Sequence, residues 1–169
     1  GLQVDPEKVT AITKINYPTT VRGVRTFLGM SGYYRQFVPH YGTIAKPLTM
    51  LLEKDRKFEF GPAQIKAFDE LKQRLVEAPI LSIFDENLEI ELHTDASDIG
   101  IGVMAAQTKN GKSHPIAFAS RVYLPAERNY TTTEKECLAV IWGIQRFREY
   151  IFEQHFIIKT DHHALCYVK

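Results

Sequence analysis

The chain has 169 residues, 44% of them hydrophobic, which suits one or two small domains with an apolar core. No run of about 18 apolar residues occurs, so we expect no membrane-spanning helix. The two cysteines are too few for a disulfide framework or a cysteine metal cluster, and we expect two reduced thiols. The first residues lack the basic and apolar regions of a signal peptide, so we expect a piece of a longer protein.

Charge is unevenly distributed along the chain. Residues 1–57 carry nine Lys or Arg against four Asp or Glu, whereas residues 58–169 carry twelve against sixteen. A basic front part favours contact with phosphates, and an acidic back part repels them unless cations intervene. Ordinary scatter of surface charge would give the same imbalance, so charge alone leaves both interpretations open.

The front of the chain has the spacing of helices. Asp5 to Glu7 is a helix start, because Asp caps a helix and Pro fits its first turn, and Tyr17-Pro18 ends that helix. Thr19 or Thr20 can cap a second helix, which we expect Gly29 to Gly32 to interrupt. Two further helices are indicated by apolar residues three or four positions apart, at Ile44, Leu48, Leu51 and Leu52, and between Gly61-Pro62 and Pro79 at Ile65, Phe68, Leu71 and Leu75.

The pattern changes to strands near residue 80. Leu88 to His93 alternates strictly between apolar and polar residues, and Asn110-Gly111 is a hairpin signal between two later runs. The remaining predicted elements are strands at Ile99 to Gln107, His114 to Ser120 and Phe156 to Thr160, a helix from Thr131 to about Ile151, and a helix from His162 onward. The long helix has an apolar stripe at Cys137, Val140, Ile141, Ile144, Phe147 and Ile151. A right-handed strand, helix and strand connection makes the fourth strand parallel to one of the first three.

Three carboxylates are candidates for one site. Asp95 ends the first strand and Asp161 ends the fourth, so parallel pairing of those strands would bring the two side chains together. Glu136 lies in the first turn of the intervening helix. Three carboxylates at one point repel one another, and Mg²⁺ or Mn²⁺ relieves that repulsion and can support phosphodiester cleavage with two ions.

Each of the three carboxylates also has a purely structural interpretation. Asp95 can terminate a strand before a turn, and Asp161 can cap the last helix. Glu136 can complete a capping box with Thr133. Spacing alone therefore leaves the metal site as one of two explanations.

The local sequences resemble a known family. The segments that carry the resemblance are Thr94–Gly102, Pro115–Arg121, Ala126–Glu136 and Thr160–Leu165, which look like successive motifs of the gypsy-type LTR-retrotransposon and retroviral RNase H domain. Val24–Pro39 is similar to the reverse transcriptase thumb region that precedes RNase H in these Pol polyproteins. The resemblance covers essentially the whole chain, with the motifs in family order.

The resemblance implies an endonuclease that hydrolyses the RNA strand of an RNA/DNA hybrid. The family uses two divalent ions, Mg²⁺ or Mn²⁺, held by four acidic residues. Asp95, Glu136 and Asp161 match the first three as catalytic residues and metal ligands. Glu136 matches the last glutamate of the family motif, and Glu134 is expected to be a first-turn helix acid that interacts with the helix dipole.

The thumb resemblance implies contact with the template–primer duplex. The candidate nucleic-acid-binding residues are Arg22, Arg25, Tyr33, Tyr34 and Arg35. We expect one of the two tyrosines to be buried instead, because aromatic side chains contribute heavily to small cores.

The expected fold is α/β (α+β), a small helical thumb-like segment followed by an RNase H-like mixed sheet with the order β-β-β-α-β-α. We expect a thumb- or connection-like segment over residues 1–57, a linking helix and loop over 58–86, and the RNase H-like domain over 87–169. In the family, a last strand and a last helix with the fourth acid follow. Without them we expect weak or no cleavage by the isolated chain.

Partners and location follow from the same resemblance. We expect an RNA/DNA hybrid, the rest of the Pol polyprotein and no membrane, with retroelement particles in the cytoplasm and later passage into the nucleus. An uncovered edge at the fourth strand would recruit a homodimer or a strand-donating partner. The alternative function is an inactive, host-domesticated interaction module. We assign no role to His40, His93, His114 or His155, and expect no metal ligation by the adjacent His162 and His163.

Overall fold

The computed structural model describes residues 1–161. The helices of the front part are α1 (Pro6–Thr13), α2 (Val21–Gly32), α3 (Tyr41–Thr49) and α4 (Pro62–Val76), with short 3₁₀ turns at Arg35–Phe37 and Met50–Leu52. The sheet part consists of β1 (Ile90–Ala96), β2 (Gly100–Lys109), β3 (Lys112–Val122), a 3₁₀ turn at Pro125–Asn129, α5 (Thr132–Arg146), α6 (Arg148–Ile151) and β4 (Phe156–Lys159). This order confirms the predicted α/β architecture. The predicted helix from His162 onward lies outside the described residues, as do His163 and Cys166.

The helix starts follow their capping residues. The Asp5 carboxylate accepts a hydrogen bond from the Glu7 N–H at 2.9 Å, and the Thr20 hydroxyl accepts one from the Gly23 N–H at 3.1 Å. Each cap satisfies one of the backbone donors that a helix leaves without a partner at its N-terminus. The start of α1 and one of the two caps predicted for α2 are therefore confirmed.

The predicted interruption at Gly29 to Gly32 is wrong, because α2 continues to Gly32. Tertiary packing outweighs the low helix propensity of glycine here. Phe27 is fully buried, and the buried Ser31 hydroxyl lies 2.8 Å from the Tyr41 hydroxyl of α3. These contacts hold the last turn of α2 in place.

The long helix of the sheet part also differs from its prediction. It ends at Arg146, and the buried Phe147 separates it from α6. The predicted apolar stripe is only partly correct, since Ile141 is exposed and the fully covered positions are Ala139 and Gly143. A Cβ at Gly143 would lie 3.1 Å from the Val103 side chain, so small residues allow α5 to lie close to β2.

The sheet has the order β3-β2-β1-β4. β1 is antiparallel to β2, β2 is antiparallel to β3, and β4 is parallel to β1. Asn110 and Gly111 connect β2 to β3 with φ angles of 53° and 76°, the left-handed pair that a two-residue hairpin requires. The hairpin and the parallel fourth strand are both confirmed.

Apolar cores lie on the two sides of the contact between the front helices and the sheet. One lies among the four front helices, a second lies between the sheet and α5, and a smaller cluster contains Ile101, Tyr123 and Ala139. Phe118 of β3 packs against the helical core, and Ser120 of the same strand accepts two hydrogen bonds from the front part. Its hydroxyl accepts from the Gly42 N–H at 2.8 Å and its carbonyl accepts from the Arg35 guanidinium at 3.0 Å. Within residues 1–161 no helix has the length and apolar character needed to cross a bilayer.

Candidate functional site

A cavity of about 1030 Å³ opens beside the ends of β1 and β4. Its lining includes Asp95, Asp161 and Cys137 from the sheet part and His40 from the start of α3. Residues of the helical part and of the sheet part therefore line the same cavity. It is the place where open α/β sheets usually bind ligands, because loops rather than strands continue beyond the sheet edge.

The parallel pairing of β1 and β4 brings Asp95 and Asp161 to this cavity. His93 pairs with Lys159 in the parallel register. Asp95 is two positions after His93, and Asp161 is two positions after Lys159. Because side chains alternate along a strand, Asp95 belongs to the face of β1 that carries His93. Asp161 lies two residues beyond the end of β4 and lines the same cavity. The Asp95 side chain is 68% exposed, so its carboxylate is accessible from the cavity.

Glu136 lies in α5, whose start is capped by other residues. The Thr131 N–H donates to the Glu134 carboxylate at 2.7 Å, and the Glu134 N–H donates to the Thr131 hydroxyl at 3.2 Å. This reciprocal pair is the capping box of α5. Glu134 thus acts in the first turn of the helix, as expected, and the alternative box between Thr133 and Glu136 is not the one that caps it.

The three carboxylates do not form a ready-made metal cluster. Within residues 1–161 no group of three or more His, Cys, Asp or Glu side chains is close enough to hold an ion. Asp95 and Asp161 share the cavity, whereas Glu136 is not part of its lining. The chemistry of the donors fits a hard divalent cation, since Mg²⁺ prefers carboxylate oxygen.

The pKa of the buried Tyr123 phenol depends on its burial and on carboxylates around the site. Burial raises the pKa of its phenol to about 12, and the neighbouring carboxylates of Glu136, Asp98 and Asp95 add to that rise. Its hydroxyl donates to the Ser97 carbonyl at 2.8 Å, which ties β3 to the turn after Asp95. Glu136 and Asp95 therefore act electrostatically on one buried group, although they come from a helix and a strand.

A second buried group, Glu91, was not anticipated from the sequence. Its carboxylate accepts from the Thr108 hydroxyl at 2.6 Å and lies 2.9 Å from the His93 ring and 3.2 Å from the Lys159 ammonium. Burial raises the pKa of Glu91, but the hydrogen bonds from Thr108, His93 and Lys159 outweigh it, and the net pKa is lowered. This group connects β4 to β1 beside the cavity.

His40 is the other residue that the sequence did not indicate. Its Nε2 lies 3.4 Å from Oδ2 of Asp95, although 55 positions separate the two residues along the chain. No linear motif contains both, so nothing short of the fold could have paired them. His93 lines the same cavity, whereas His155 pairs with Glu89 on the surface.

The five candidate nucleic-acid-binding residues fall into different environments. Arg22 and Arg25 are exposed on α2, and Tyr33, the residue after α2, is 79% exposed. Tyr34 is only 8% exposed, which confirms that one tyrosine of the pair is buried. The Arg35 guanidinium donates to the Ser120 carbonyl and lies 5.1 Å from the centre of the Tyr41 ring. Arg35 therefore makes internal contacts.

Residues 60–158 match the family described as RNase H-like domain found in reverse transcriptase. The chain is 41% identical over 166 residues to the retrovirus-related Pol polyprotein from transposon 297 of Drosophila melanogaster, covering 98% of this chain and 15% of that protein. It is 35% identical to the polyprotein from transposon 412 of the same species, covering 99% and 14%. It is 34% identical to the transposon Tf2-3 polyprotein of Schizosaccharomyces pombe, covering 94% and 12%.

Solved structures share the fold. The structure of the foamy viral protease-reverse transcriptase dRH in complex with double-stranded DNA matches with a TM-score of 0.83 and 22% identity, covering 95% of this chain and 28% of that one. The foamy viral protease-reverse transcriptase in complex with RNA/DNA hybrid matches with a TM-score of 0.79 and 22% identity, covering 94% and 22%. These matches extend through the front helices as well as the sheet.

Replacing Glu91 with Gln should loosen β4. The variant keeps an acceptor for Thr108 but loses the charge that faces Lys159, a loss of about 1–3 kcal/mol for a hydrogen bond to a charged group. At pH 7 we expect amide exchange in residues 156–159 to be faster than in the wild type by about tenfold. Hydrogen exchange read by mass spectrometry measures this difference.

The effect should depend on pH with a definite sign. A carboxyl whose folded pKa is lowered adds stability above its ordinary pKa of 4.5, and that stability is lost as the pH falls through the folded pKa. The difference between wild type and Glu91→Gln should therefore shrink below about pH 4.5. Glu53→Gln, at an exposed glutamate in the front part, is the matched control. Equal exchange of wild type and Glu91→Gln at pH 7 would show that the Glu91 group does not hold β4.

Proposed function

The chain belongs to the family of RNase H-like domains found in reverse transcriptases of retroelement Pol polyproteins, and we propose that it cleaves the RNA strand of an RNA/DNA hybrid. The observation that carries this proposal is the shared position of Asp95 and Asp161 beside one cavity. The chain spans between 12% and 15% of the length of the relatives above, so the activity of a whole polyprotein is also part of the proposal.

RNase H-like domains generally depend on divalent metal ions. We assign Asp95, Glu136 and Asp161 as the ligands that would hold them, with Mg²⁺ or Mn²⁺ as the ion. When bound, two such ions supply an activated water and a stabilised leaving oxygen for phosphodiester hydrolysis. The protein supplies Asp95 and Asp161 at the cavity and Glu136 from α5. Their negative charge attracts cations and repels the phosphates of a hybrid when no cation is bound.

The front helices are proposed to contact the template–primer duplex through one face of α2. Arg22, Arg25, Gly29 and Tyr33 recur at spacings of three and four and are all exposed. A Cβ at Gly29 would meet nothing within 4 Å, so no packing requires a glycine inside this helix. A glycine there costs about 1 kcal/mol relative to alanine, and it leaves the helix backbone open to close approach by a ligand.

Arg22 and Arg25 supply the charge that such a contact needs, and Tyr33 supplies an exposed ring. Arginine side chains neutralise phosphates, and aromatic rings stack on or insert against bases and sugars. The two foamy viral structures described above are complexes with double-stranded DNA and with an RNA/DNA hybrid. Their nucleic acids support the same partners for this chain, together with the rest of a Pol polyprotein.

The remaining expectations are carried forward as proposals. We propose a thumb- or connection-like segment over 1–57, a linker over 58–86 and the RNase H-like domain from 87, acting in cytoplasmic retroelement particles with later passage into the nucleus.

Within residues 1–161, β4 pairs with β1 on one side alone, so a second copy or a strand-donating partner remains a proposal for its other side. A host-domesticated, inactive module is the alternative function, and accessible carboxylates such as Asp95 favour the nuclease.

Cleavage of a labelled RNA/DNA hybrid by the isolated chain is expected to be weak, and Asp95→Asn should reduce it further in the presence of Mg²⁺. Losing one ligand removes several kcal/mol of charge stabilisation, so we expect the rate to fall by about 100-fold or more. Glu136→Gln and Asp161→Asn should have the same effect. Single-turnover assays with the protein in excess make slow cleavage measurable.

Asp98→Asn is the matched control, because Asp98 is an exposed carboxylate three positions from Asp95. It should cleave at the wild-type rate within about twofold, as surface changes usually do. Cleavage by Asp95→Asn at the wild-type rate would refute the assignment of the site. Cleavage that needs no divalent ion would refute the metal mechanism.

Replacing both Arg22 and Arg25 with Ala should weaken binding of the full chain to a hybrid duplex. Each phosphate contact that is lost should lower the slope of log affinity against log salt by about one. We expect the double variant to bind about tenfold more weakly at 0.1 M salt, and fluorescence anisotropy measures both quantities. Arg74→Ala removes an exposed arginine paired with Glu70 on α4 and is the control. Equal affinity and slope in all three proteins would exclude this face of α2 as the duplex contact.

A further inference from the structure

The start of α3 reaches across to the carboxylate site. His40, the residue before α3, has a left-handed backbone with a φ of 55°, which turns the chain as the helix begins. Its ring lies against β2 at Gly102, where a Cβ would be 2.5 Å from Cε1 and 2.6 Å from Nδ1 of the imidazole. Since heavy atoms do not approach that closely, the ring occupies space that exists only because residue 102 is glycine.

Gly102 is the residue opposite Asp95 in the antiparallel register of β1 and β2. The imidazole is therefore located beside the last part of β1, and its Nε2 faces Oδ2 of Asp95 at 3.4 Å. Both side chains line the cavity together with Asp161. The helical part of the molecule thus supplies one group to a site whose carboxylates all come from the sheet part.

The start of α3, which carries His40, is held against β3 by close contacts. The Gly42 N–H donates to the Ser120 hydroxyl at 2.8 Å, and a Cβ at Gly42 would lie 3.2 Å from the Cα of Arg121. The first turn of α3 therefore rests directly on β3, two residues after His40. Because this backbone is held in place, the His40 ring has little freedom to move away from Asp95.

We propose that His40 is a positioning residue for the Asp95 carboxylate, an inference that rests on the nuclease function proposed above. Within residues 1–161, the His40 ring is the ion-pair partner of Asp95, at 3.4 Å, and the Asp95 side chain is otherwise largely exposed. A partner beside one carboxylate oxygen favours orientations that leave the other oxygen open to a cation. Partners that orient metal-binding carboxylates in this way typically contribute 10-fold to 100-fold, roughly, to metal affinity.

Two other roles for His40 predict different effects on metal affinity. An imidazole that only competed with a cation for Asp95 would lower metal affinity, and its removal would raise that affinity. A purely structural histidine would affect stability and leave metal affinity unchanged. The direction of the change in metal affinity therefore separates positioning from both other roles.

Two substitutions suit the left-handed backbone at position 40. Glycine and asparagine both adopt positive φ readily, so neither strains the start of α3. His40→Gly removes the side chain, whereas His40→Asn retains a short side chain with an N–H donor. Thermal unfolding followed by circular dichroism checks that both variants fold. His155→Asn, at an exposed histidine paired with Glu89, is the matched control.

The first measurement tests the contact without any metal. In the full chain, the NMR signals of the His40 ring should shift on Asp95→Asn, while those of His155 stay in place. An unchanged His40 signal would overturn the inference, whatever the protein does with metals.

The second measurement is the affinity of the full chain for Mn²⁺, read by electron paramagnetic resonance. We expect His40→Gly to bind about tenfold more weakly, His40→Asn to recover part of the loss, and His155→Asn to match the wild type. Wild-type or tighter binding by His40→Gly would overturn the positioning role while leaving the proposed nuclease intact. Equal binding by wild type and Asp95→Asn would instead refute the proposed metal site, and the role of His40 with it.

Discussion

The parallel pairing of β4 with β1 is the contact on which the site depends. Because the two strands run in the same direction, Asp95 near the end of β1 and Asp161 just after β4 lie at the same end of the sheet. The pairing spans only four residues on each strand, and the Glu91 carboxylate reinforces it by contacting Lys159 at 3.2 Å. A slip of one residue would turn each side chain of β4 to the opposite face of the sheet, because side chains alternate with a period of two. The register of β4 against β1 therefore also determines where Asp161 lies relative to Asp95.

A second constraint joins the helical part to that edge. Gly42 lies against β3, and Gly102 leaves room for the His40 ring beside Asp95. A side chain at Gly42 would press on the backbone of β3, whereas one at Gly102 would displace the His40 ring from its place beside Asp95. The exposed face of α2 and the carboxylate cavity therefore belong to one connected framework.

Much of this framework was predictable from local patterns. Alternation identified β1, Asn110-Gly111 identified the hairpin, and Asp5 and Thr20 identified helix starts, since each signal acts within a few residues. The continuation of α2 through Gly32 was not predictable, because it depends on contacts between Ser31 and α3. Local propensity cannot include such contacts.

The residues around the site show the same division. Strand order and motif resemblance predicted that Asp95 and Asp161 would lie together, but alternation placed Glu91 among the exposed positions, and it is buried. Its partners Thr108 and Lys159 come from two other strands, so only the assembled sheet makes its burial favourable. His40 escaped prediction for the same reason, because its neighbour Asp95 is remote in sequence. Long-range pairs of charged residues are what sequence patterns omit.

Asp95, Glu136 and Asp161 are proposed to bind divalent ions together. Paramagnetic broadening by Mn²⁺ tests this proposal, with the side-chain carboxyl carbons of the full chain observed by NMR. We expect substoichiometric Mn²⁺ to broaden these three signals first and together, and an excess of Mg²⁺ to restore them. Broadening centred on Glu134 and Asp98, or spread evenly over surface carboxylates, would contradict it.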